Sequence, residues 1–171
     1  MEREIHPIPP LWNEESRILI LGSFPSVKSR EGRFFYHHPR NRFWAVMARV
    51  LECPVPETVE EKKEMLLAHR TALWDVAASC SIHGSSDSSI RDVVPNDLGE
   101  ILEHANINQI FTNGTTAFRL YRKYTEPITG RPAICLPSTS PANVAWSLQR
   151  LEGEWSRIRT YLDEQPAEAD L

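Results

Sequence analysis

The stretch Arg17-Ile18-Leu19-Ile20-Leu21-Gly22 is a short apolar run closed by glycine, and its length, flanks and isoleucines read as a buried strand rather than a helix. Outward from it, a polar loop holding Pro25, Gly32 and Pro39 leads to a helix whose apolar residues Phe43, Val46, Met47, Val50 and Leu51 recur at helical spacing behind Asn41, a plausible cap. The pattern then predicts a helix over Val59 to Arg70, a second strand over Thr71 to Ala77 and a serine-rich loop from Ser79 to Asp87. Pro95 and Asn96 open a further helix to about Ala105. Asn108 to Thr112 is a third strand, Asn113-Gly114 a turn, Thr115 to Tyr124 a helix and Arg131 to Leu136 a fourth strand. Ala145, Leu148, Leu151, Trp155, Ile158 and Leu162 mark one long final helix, and the chain from Gln165 is expected to be loose.

Strands separated by helices imply an α/β fold with parallel pairing and helices on both faces of the sheet. Ligands of such sheets gather at the carboxyl ends of the strands, here Gly22 to Ser26, Asp75 to Asp87, Asn113 and Pro137 to Asn143. The chain has 171 residues, 41% hydrophobic and 25% charged, which suits one globular domain spanning 1–171 with a core over about 17–162. The first ten residues lack the apolar core of a secretion signal and no run could span a bilayer, so the expectation is a cytoplasmic protein without a membrane partner. Cys53, Cys80 and Cys135 are too widely spaced for a metal or redox centre. His6, His69 and His104 lack metal spacing and read as surface groups, so neither metal nor cofactor is expected. The net charge of -4 argues against a nonspecific coat for nucleic acid, yet Lys28, Arg30, Arg33, Arg40 and Arg42 stand against Glu31 alone. One basic patch on an acidic body fits a protein that touches a few phosphates.

Four constellations carry chemistry. In Gly22-Ser23-Phe24-Pro25-Ser26 the glycine admits a ligand close to the backbone, and the amides and hydroxyls that follow can bond an anion or a base edge; an ordinary turn is the alternative. Tyr36-His37-His38-Pro39-Arg40-Asn41-Arg42-Phe43-Trp44 interleaves aromatics with cations, a mixture suited to stacking unpaired bases and meeting phosphates. Within it Tyr36 and Asn41 read as functional, Arg40 and Arg42 as phosphate-steering, and Phe43 and Trp44 as core. Ser138, Thr139 and Ser140, followed by Asn143, form a hydroxyl-rich loop fit for a phosphate, with helix capping by Ser140 as the alternative. Asp75 could accept a hydrogen bond from a ring N–H of a base or cap its own loop, while Asn113 before Gly114 reads as a turn residue.

Taken together and in order, Gly-Ser-Phe-Pro-Ser, His-Pro-Arg-Asn-Arg-Phe-Trp, Leu-Trp-Asp-Val with its serine loop, and Leu-Pro-Ser-Thr-Ser-Pro-Ala-Asn resemble the hypoxanthine-DNA glycosylase branch of the uracil-DNA glycosylase superfamily, from about Arg17 to Trp155. The resemblance implies a three-layer α/β/α sandwich around a four-stranded parallel sheet. It also implies monofunctional, cofactor-free excision of deaminated bases, hypoxanthine and in some members uracil, from DNA, and a monomer is expected. By the same resemblance Asn41 is the catalytic asparagine, Tyr36 stacks on the flipped base, and the Ser138 to Asn143 loop enters the DNA. Base-binding falls to Gly22, Ser23, Phe24, Tyr36 and Asp75, and DNA-binding to Ser26, Arg40, Arg42, Ser138, Thr139, Ser140 and Asn143. Two positions depart from the pattern: Phe24 stands where many members carry an acid or amide, and Leu136 where they carry a histidine.

Breaking an N-glycosidic bond builds positive charge on the sugar and negative charge on the base. A neutral asparagine places water but does not remove its proton, so the expected route is dissociative, with the turn from Gly22 to Pro25 supplying amides to the leaving base. Two other readings are a noncatalytic nucleotide- or nucleic-acid-binding module using the same crevice, and a Cys80–His83 hydrolase. The second lacks both a nucleophile elbow and an orienting acid.

Overall fold

The computed structural model describes residues 2–163, so the expected loose tail from Gln165 lies outside the described residues. The chain runs β1 (Glu2–Ile5), β2 (Ile18–Gly22), α1 (Val27–Gly32), α2 (Phe43–Leu51), α3 (Val59–Ala68), β3 (Thr71–Asp75), β4 (Ala77–Ile82) and a 3-10 turn (Asp87–Ser89). It continues with β5 (Arg91–Pro95), α4 (Gly99–His104), β6 (Gln109–Asn113), α5 (Thr115–Leu120), a π turn (Tyr121–Thr125), α6 (Glu126–Thr129), β7 (Ala133–Leu136), α7 (Leu148–Trp155) and α8 (Ile158–Asp163).

β2 lies inside an all-parallel sheet of order β3-β2-β6-β7, the four-stranded sheet expected from the sequence. Its side chains alternate between two cores. Ile18 and Ile20 pack with Phe43, Met47, Leu66, Leu151 and Trp155 from α2, α3 and α7, whereas Leu19 and Leu21 pack with Ile101, Leu120 and Tyr121 on the opposite face. All four are fully buried, each contributing about 1.5–3 kcal/mol of transfer free energy, and this double burial is why the run is apolar without interruption.

The structure adds a second sheet, antiparallel and of order β1-β4-β5, which the sequence pattern did not announce. The stretch from Ser79 to Asp87, expected as a loop, is strand as far as Ile82. Its buried residues Ala77, Cys80 and Ile82 are not in strict alternation because register shifts on the β5 side break the two-residue period. β1 is Glu-Arg-Glu-Ile and mostly exposed, and β5 is Arg-Asp-Val-Val-Pro, so neither shows an apolar face. The loop expected after β2 contains α1, a six-residue helix burying only Ser29 and capped by Ser26, whose Oγ accepts from the Ser29 amide.

Three boundaries also move. Pro95 ends β5 instead of opening a helix, and α4 starts at Gly99. The helix expected to end near Tyr124 passes into the π turn and stops at Gly130, which takes a positive φ of 69°. The long final helix is two: Ser147, not Ser140, caps α7 by accepting from the Arg150 amide, and the helix breaks after Trp155 before α8 begins.

Candidate active site

The carboxyl ends of β2, β3, β6 and β7 open onto one cavity of about 1030 Å³, large enough for a base and its sugar. It is lined by residues from each segment expected to carry chemistry, among them Gly22, Ser23, Phe24, Ser26, Tyr36, Asn41, Asp75, Ser138, Thr139, Ser140 and Asn143. Arg40 and Arg42 are not part of this lining.

Asn41 sits just before α2, where its Oδ1 accepts from the Phe43 amide at 2.9 Å and from Thr139 Oγ1 at 2.8 Å. Thr139, fully buried, accepts at the same hydroxyl from Asn113 Nδ2 (3.0 Å), and its amide donates to Asn113 Oδ1 (3.0 Å). A backbone N–H stands at each end of this chain and can only donate, so the orientation of both amides and the hydroxyl between them is determined. Asn41 Oδ1 therefore holds two hydrogen bonds, and Asn41 has Nδ2 left to offer the cavity. Asn113, read from sequence as a turn residue, is a structural partner of Asn41 through Thr139. The backbone permits this because Gly114 has φ 96° and a Cβ there would meet Ser138 Cβ at 3.1 Å.

Tyr36 adopts a left-handed φ of 50°, uncommon for a bulky residue, with Trp44 Nε1 donating to the Phe35 and Tyr36 carbonyls, each at 3.3 Å. One face of its ring is stacked on Phe43, with centroids 4.2 Å apart and planes at 24°. Its hydroxyl is buried without a well-formed hydrogen bond. Burial and then the Asp75 carboxylate push that hydroxyl far above the usual phenol range, with the Asn113 amide pulling the other way, so it remains a donor.

Asp75 ends β3 in register with Gly22, and a Cβ on Gly22 would lie 2.3 Å from Asp75 Oδ1 and 3.0 Å from Tyr36 Oη. Only glycine admits both groups. Asp75 is 4% exposed, and its Oδ2 is bonded to His6 Nε2 at 2.8 Å. The expectation that His6 is a surface group is thus corrected: its side chain is 3% exposed, because the small sheet carries the N-terminal segment in under the site. Its position among prolines, alone and without a spaced partner, gave no signal of this. Of the other two, His69 is half-buried and His104 is exposed.

A second acid that sequence reasoning missed as a site residue is Asp87. Although much of the residue is exposed, its carboxylate accepts from Ser23 Oγ at 2.8 Å and lines the cavity. Desolvation holds the Asp87 carboxyl above its ordinary range, opposed by the Ser23 hydrogen bond, with Asp75 reinforcing the rise and Arg119 opposing it. Phe24 is buried, with the Arg30 guanidinium 5.4 Å from its ring centre.

The basic patch is thinner than the sequence suggests. Arg30 pairs with Glu4 at 2.8 Å and donates to the Gly84 carbonyl. Arg42 points its guanidinium into the Ser138–Trp146 loop, donating to the carbonyls of Ser140 (2.9 Å), Asn143 (3.0 Å) and Trp146. Arg40 stays exposed. In the same loop Ser138 Oγ accepts from the Ser140 amide, Ser140 Oγ from the Ala142 amide, and Asn143 Nδ2 donates to the Ser138 carbonyl. The hydroxyls shape the loop before any ligand arrives. Among the described residues no group of three His, Cys, Asp or Glu is placed to hold a metal ion, and no helix is long and apolar enough to cross a membrane.

Comparison with known proteins agrees with this architecture. The model of the uracil DNA glycosylase superfamily matches residues 9–162. A protein named hypoxanthine DNA glycosylase from Methanosarcina acetivorans is 35% identical over 155 residues, 88% of this chain and 94% of the relative. Another so named, from Methanosarcina barkeri, is 30% identical over 108 residues, 62% and 68% of the two chains. A solution NMR structure of a protein described as a uracil DNA glycosylase from Methanosarcina acetivorans superposes with a TM-score of 0.79 at 32% identity, covering 93% of this chain and 98% of that one. With its parallel sheet, its strand-end cavity and a family match over nearly its whole length, the chain belongs to the uracil DNA glycosylase superfamily.

Proposed function

We propose that this chain is a monofunctional DNA N-glycosylase that flips hypoxanthine out of DNA, hydrolyses its N-glycosidic bond and leaves an abasic site, with uracil as a second substrate. It works as one cytoplasmic domain, a monomer without a cofactor. The observation that carries the reading is the convergence of Asn41 and Tyr36, from the loop before α2, and Asp75, from the end of β3, on one cavity beside Gly22. The names of the Methanosarcina relatives support hypoxanthine as the base.

In this reading the face of Tyr36 opposite Phe43 stacks on the flipped base, offsetting unstacking costs of a few kcal/mol that are smallest at damaged or mismatched sites. Asp75 Oδ1 accepts the ring N–H. Deamination turns N1 of adenine and N3 of cytosine from acceptors into N–H donors, so a fixed carboxylate favours hypoxanthine and uracil and opposes their parents. Asn41 Nδ2 donates to the oxygen of the attacking water. Because Oδ1 is already doubly bonded, Asn41 positions that water without taking its proton, which suits a bond largely broken before attack. The carboxylates of Asp75 and Asp87 favour positive charge on the sugar, and amides of the Gly22–Phe24 turn serve the leaving base. Ser26, Arg40 and the Ser138–Asn143 loop meet the DNA backbone, with Arg42 holding that loop in shape.

Single-turnover excision from a duplex containing deoxyinosine tests the assignment. Asn41→Ala is expected to lower the rate at least about 100-fold with normal folding. A variant that folds normally and keeps most of the wild-type rate removes Asn41 from the chemistry.

A further inference from the structure

Beneath the cavity lies a feature that the proposed chemistry does not use: the imidazole of His6, just after β1, bonded to Asp75. Its Nδ1 accepts from the Ile8 amide at 3.1 Å. A backbone amide can only donate, so Nδ1 carries no proton and the ring N–H is on Nε2, which donates to Asp75 Oδ2 at 2.8 Å. The ring is held on several sides by aromatic neighbours, edge-on to Phe24 (5.9 Å between centroids) and Trp74 (6.3 Å), and tilted against Phe35 (6.3 Å). The segment is fixed as well, since the His6 amide donates to the Ala78 carbonyl at 2.8 Å and Glu2 to Ile5 pair with Ile82 to Ser79. The two carboxylate oxygens of Asp75 therefore differ. Oδ2 is engaged by His6, while Oδ1 has no hydrogen-bond partner among the described residues and lies against Gly22 on the cavity floor.

We propose that His6 is a specificity-determining positioning residue, whose Nε2–H locks Asp75 so that Oδ1 presents a fixed acceptor to the ring N–H of a deaminated base. Asp75 reads the base and His6 decides which way it looks. This rests on the base-reading role given to Asp75 above. A carboxylate free to rotate tolerates a ring nitrogen that carries a lone pair, whereas a clamped one opposes it. The contribution of His6 is therefore a ratio between substrates, which loss of packing alone does not change.

The test compares single-turnover excision of hypoxanthine and of unsubstituted purine, which has no ring N–H at position 1, from otherwise identical duplexes. His6→Ala is expected to compress the hypoxanthine-to-purine ratio by about tenfold or more, the scale of one hydrogen bond to a charged group. His6→Gln, whose amide nitrogen can reach the place of Nε2, is expected to keep the wild-type ratio. Thermal unfolding monitors folding, and His6→Leu, which fills the aromatic cage without a donor, replaces the alanine variant if that one does not fold. The proposal is overturned if His6→Ala or His6→Leu keeps the wild-type ratio, or if His6→Gln loses it as fully as they do. Asp75→Ala separates the two levels. A ratio lowered by Asp75→Ala but untouched at His6 removes only the positioning role, whereas a ratio unchanged by Asp75→Ala removes the base-reading role itself.

Discussion

Thr139→Val is the sharpest perturbation of the polar chain behind Asn41. Valine nearly preserves the shape of a side chain that is fully buried, while deleting the hydroxyl that donates to Asn41 Oδ1 and accepts from Asn113 Nδ2. Each buried polar group left one bond short costs about 1–3 kcal/mol; with Asn41 Oδ1 still accepting from Phe43, the sum is about 2–4 kcal/mol. For a chain of this size that corresponds to a fall of roughly 5–15 °C in Tm. The functional consequence is separate. With one of two restraints gone, the Asn41 amide can turn, and small misplacements of a positioning group are costly, so single-turnover excision of hypoxanthine is expected to drop at least about tenfold. Thr139→Ser, which keeps the hydroxyl, should recover most of the rate. Calorimetry and rapid-quench excision on the three proteins suffice. A valine variant with wild-type Tm and wild-type rate would refute both the polarity assigned to the chain and its place behind Asn41.

Arg42→Ala should loosen the Ser138–Trp146 loop by removing donors to three of its carbonyls, lowering kcat/KM for DNA by about 10- to 100-fold; an effect below threefold would show that the loop holds its shape alone. Val144, 87% exposed beside Asn143, is placed to wedge between base pairs, so Val144→Ala should leave Tm unchanged and slow excision from duplex about three- to tenfold, sparing single strands. An equal effect on both substrates would exclude the wedge. Asp87 has a carboxyl raised in the folded state, so its ionisation costs stability as pH rises from its unfolded value, about 3.9, through the folded one. Asp87→Asn should therefore raise Tm at neutral pH, with the difference vanishing near pH 3, where both forms are uncharged; a difference independent of pH would contradict the burial of that carboxylate.

The parts of this molecule legible in sequence are those where burial is two-sided or chemistry is concentrated. β2 shows itself because all five of its residues are buried, and the strand ends announce the cavity because ligands of parallel sheets gather there. β1 and β5 escape notice because an edge strand of mostly exposed charged residues has no apolar face to display. α1 escapes because one buried serine makes no helical period. Of the residues at the cavity, Asn41 and Tyr36 stand in a motif that sequence singles out, whereas His6 and Asp87 carry no such signal. Each arrives from a distant segment through sheet pairing, and pairing between short polar strands leaves little trace in hydropathy. Arg42 shows a different limit: sequence sets it beside aromatics as a phosphate-steering cation, but that its guanidinium donates to carbonyls of the chain's own loop is visible only in the structure.

Phe24 and Leu136, the two departures noted in the sequence, contribute apolar bulk beside the site. Both side chains are buried, Phe24 beside His6 and Leu136 in the core with Phe43 and Trp155. Their apolar bulk makes the surroundings of the remaining polar groups dry, and in a dry site an unpaired polar group is expensive. That pressure is consistent with the way the groups are tied in pairs: Asn41 to Thr139, Asn113 to Thr139, Asp75 to His6 and Asp87 to Ser23. Each tie commits one side of a group to the protein. For Asn41 and Asp75 the tie leaves the other side for the cavity, a donor in the first case and an acceptor in the second. In a site built this way Asn41 does not take a proton, because its acceptor is already spent. The contribution of Asn41 then comes from where its dipole is fixed.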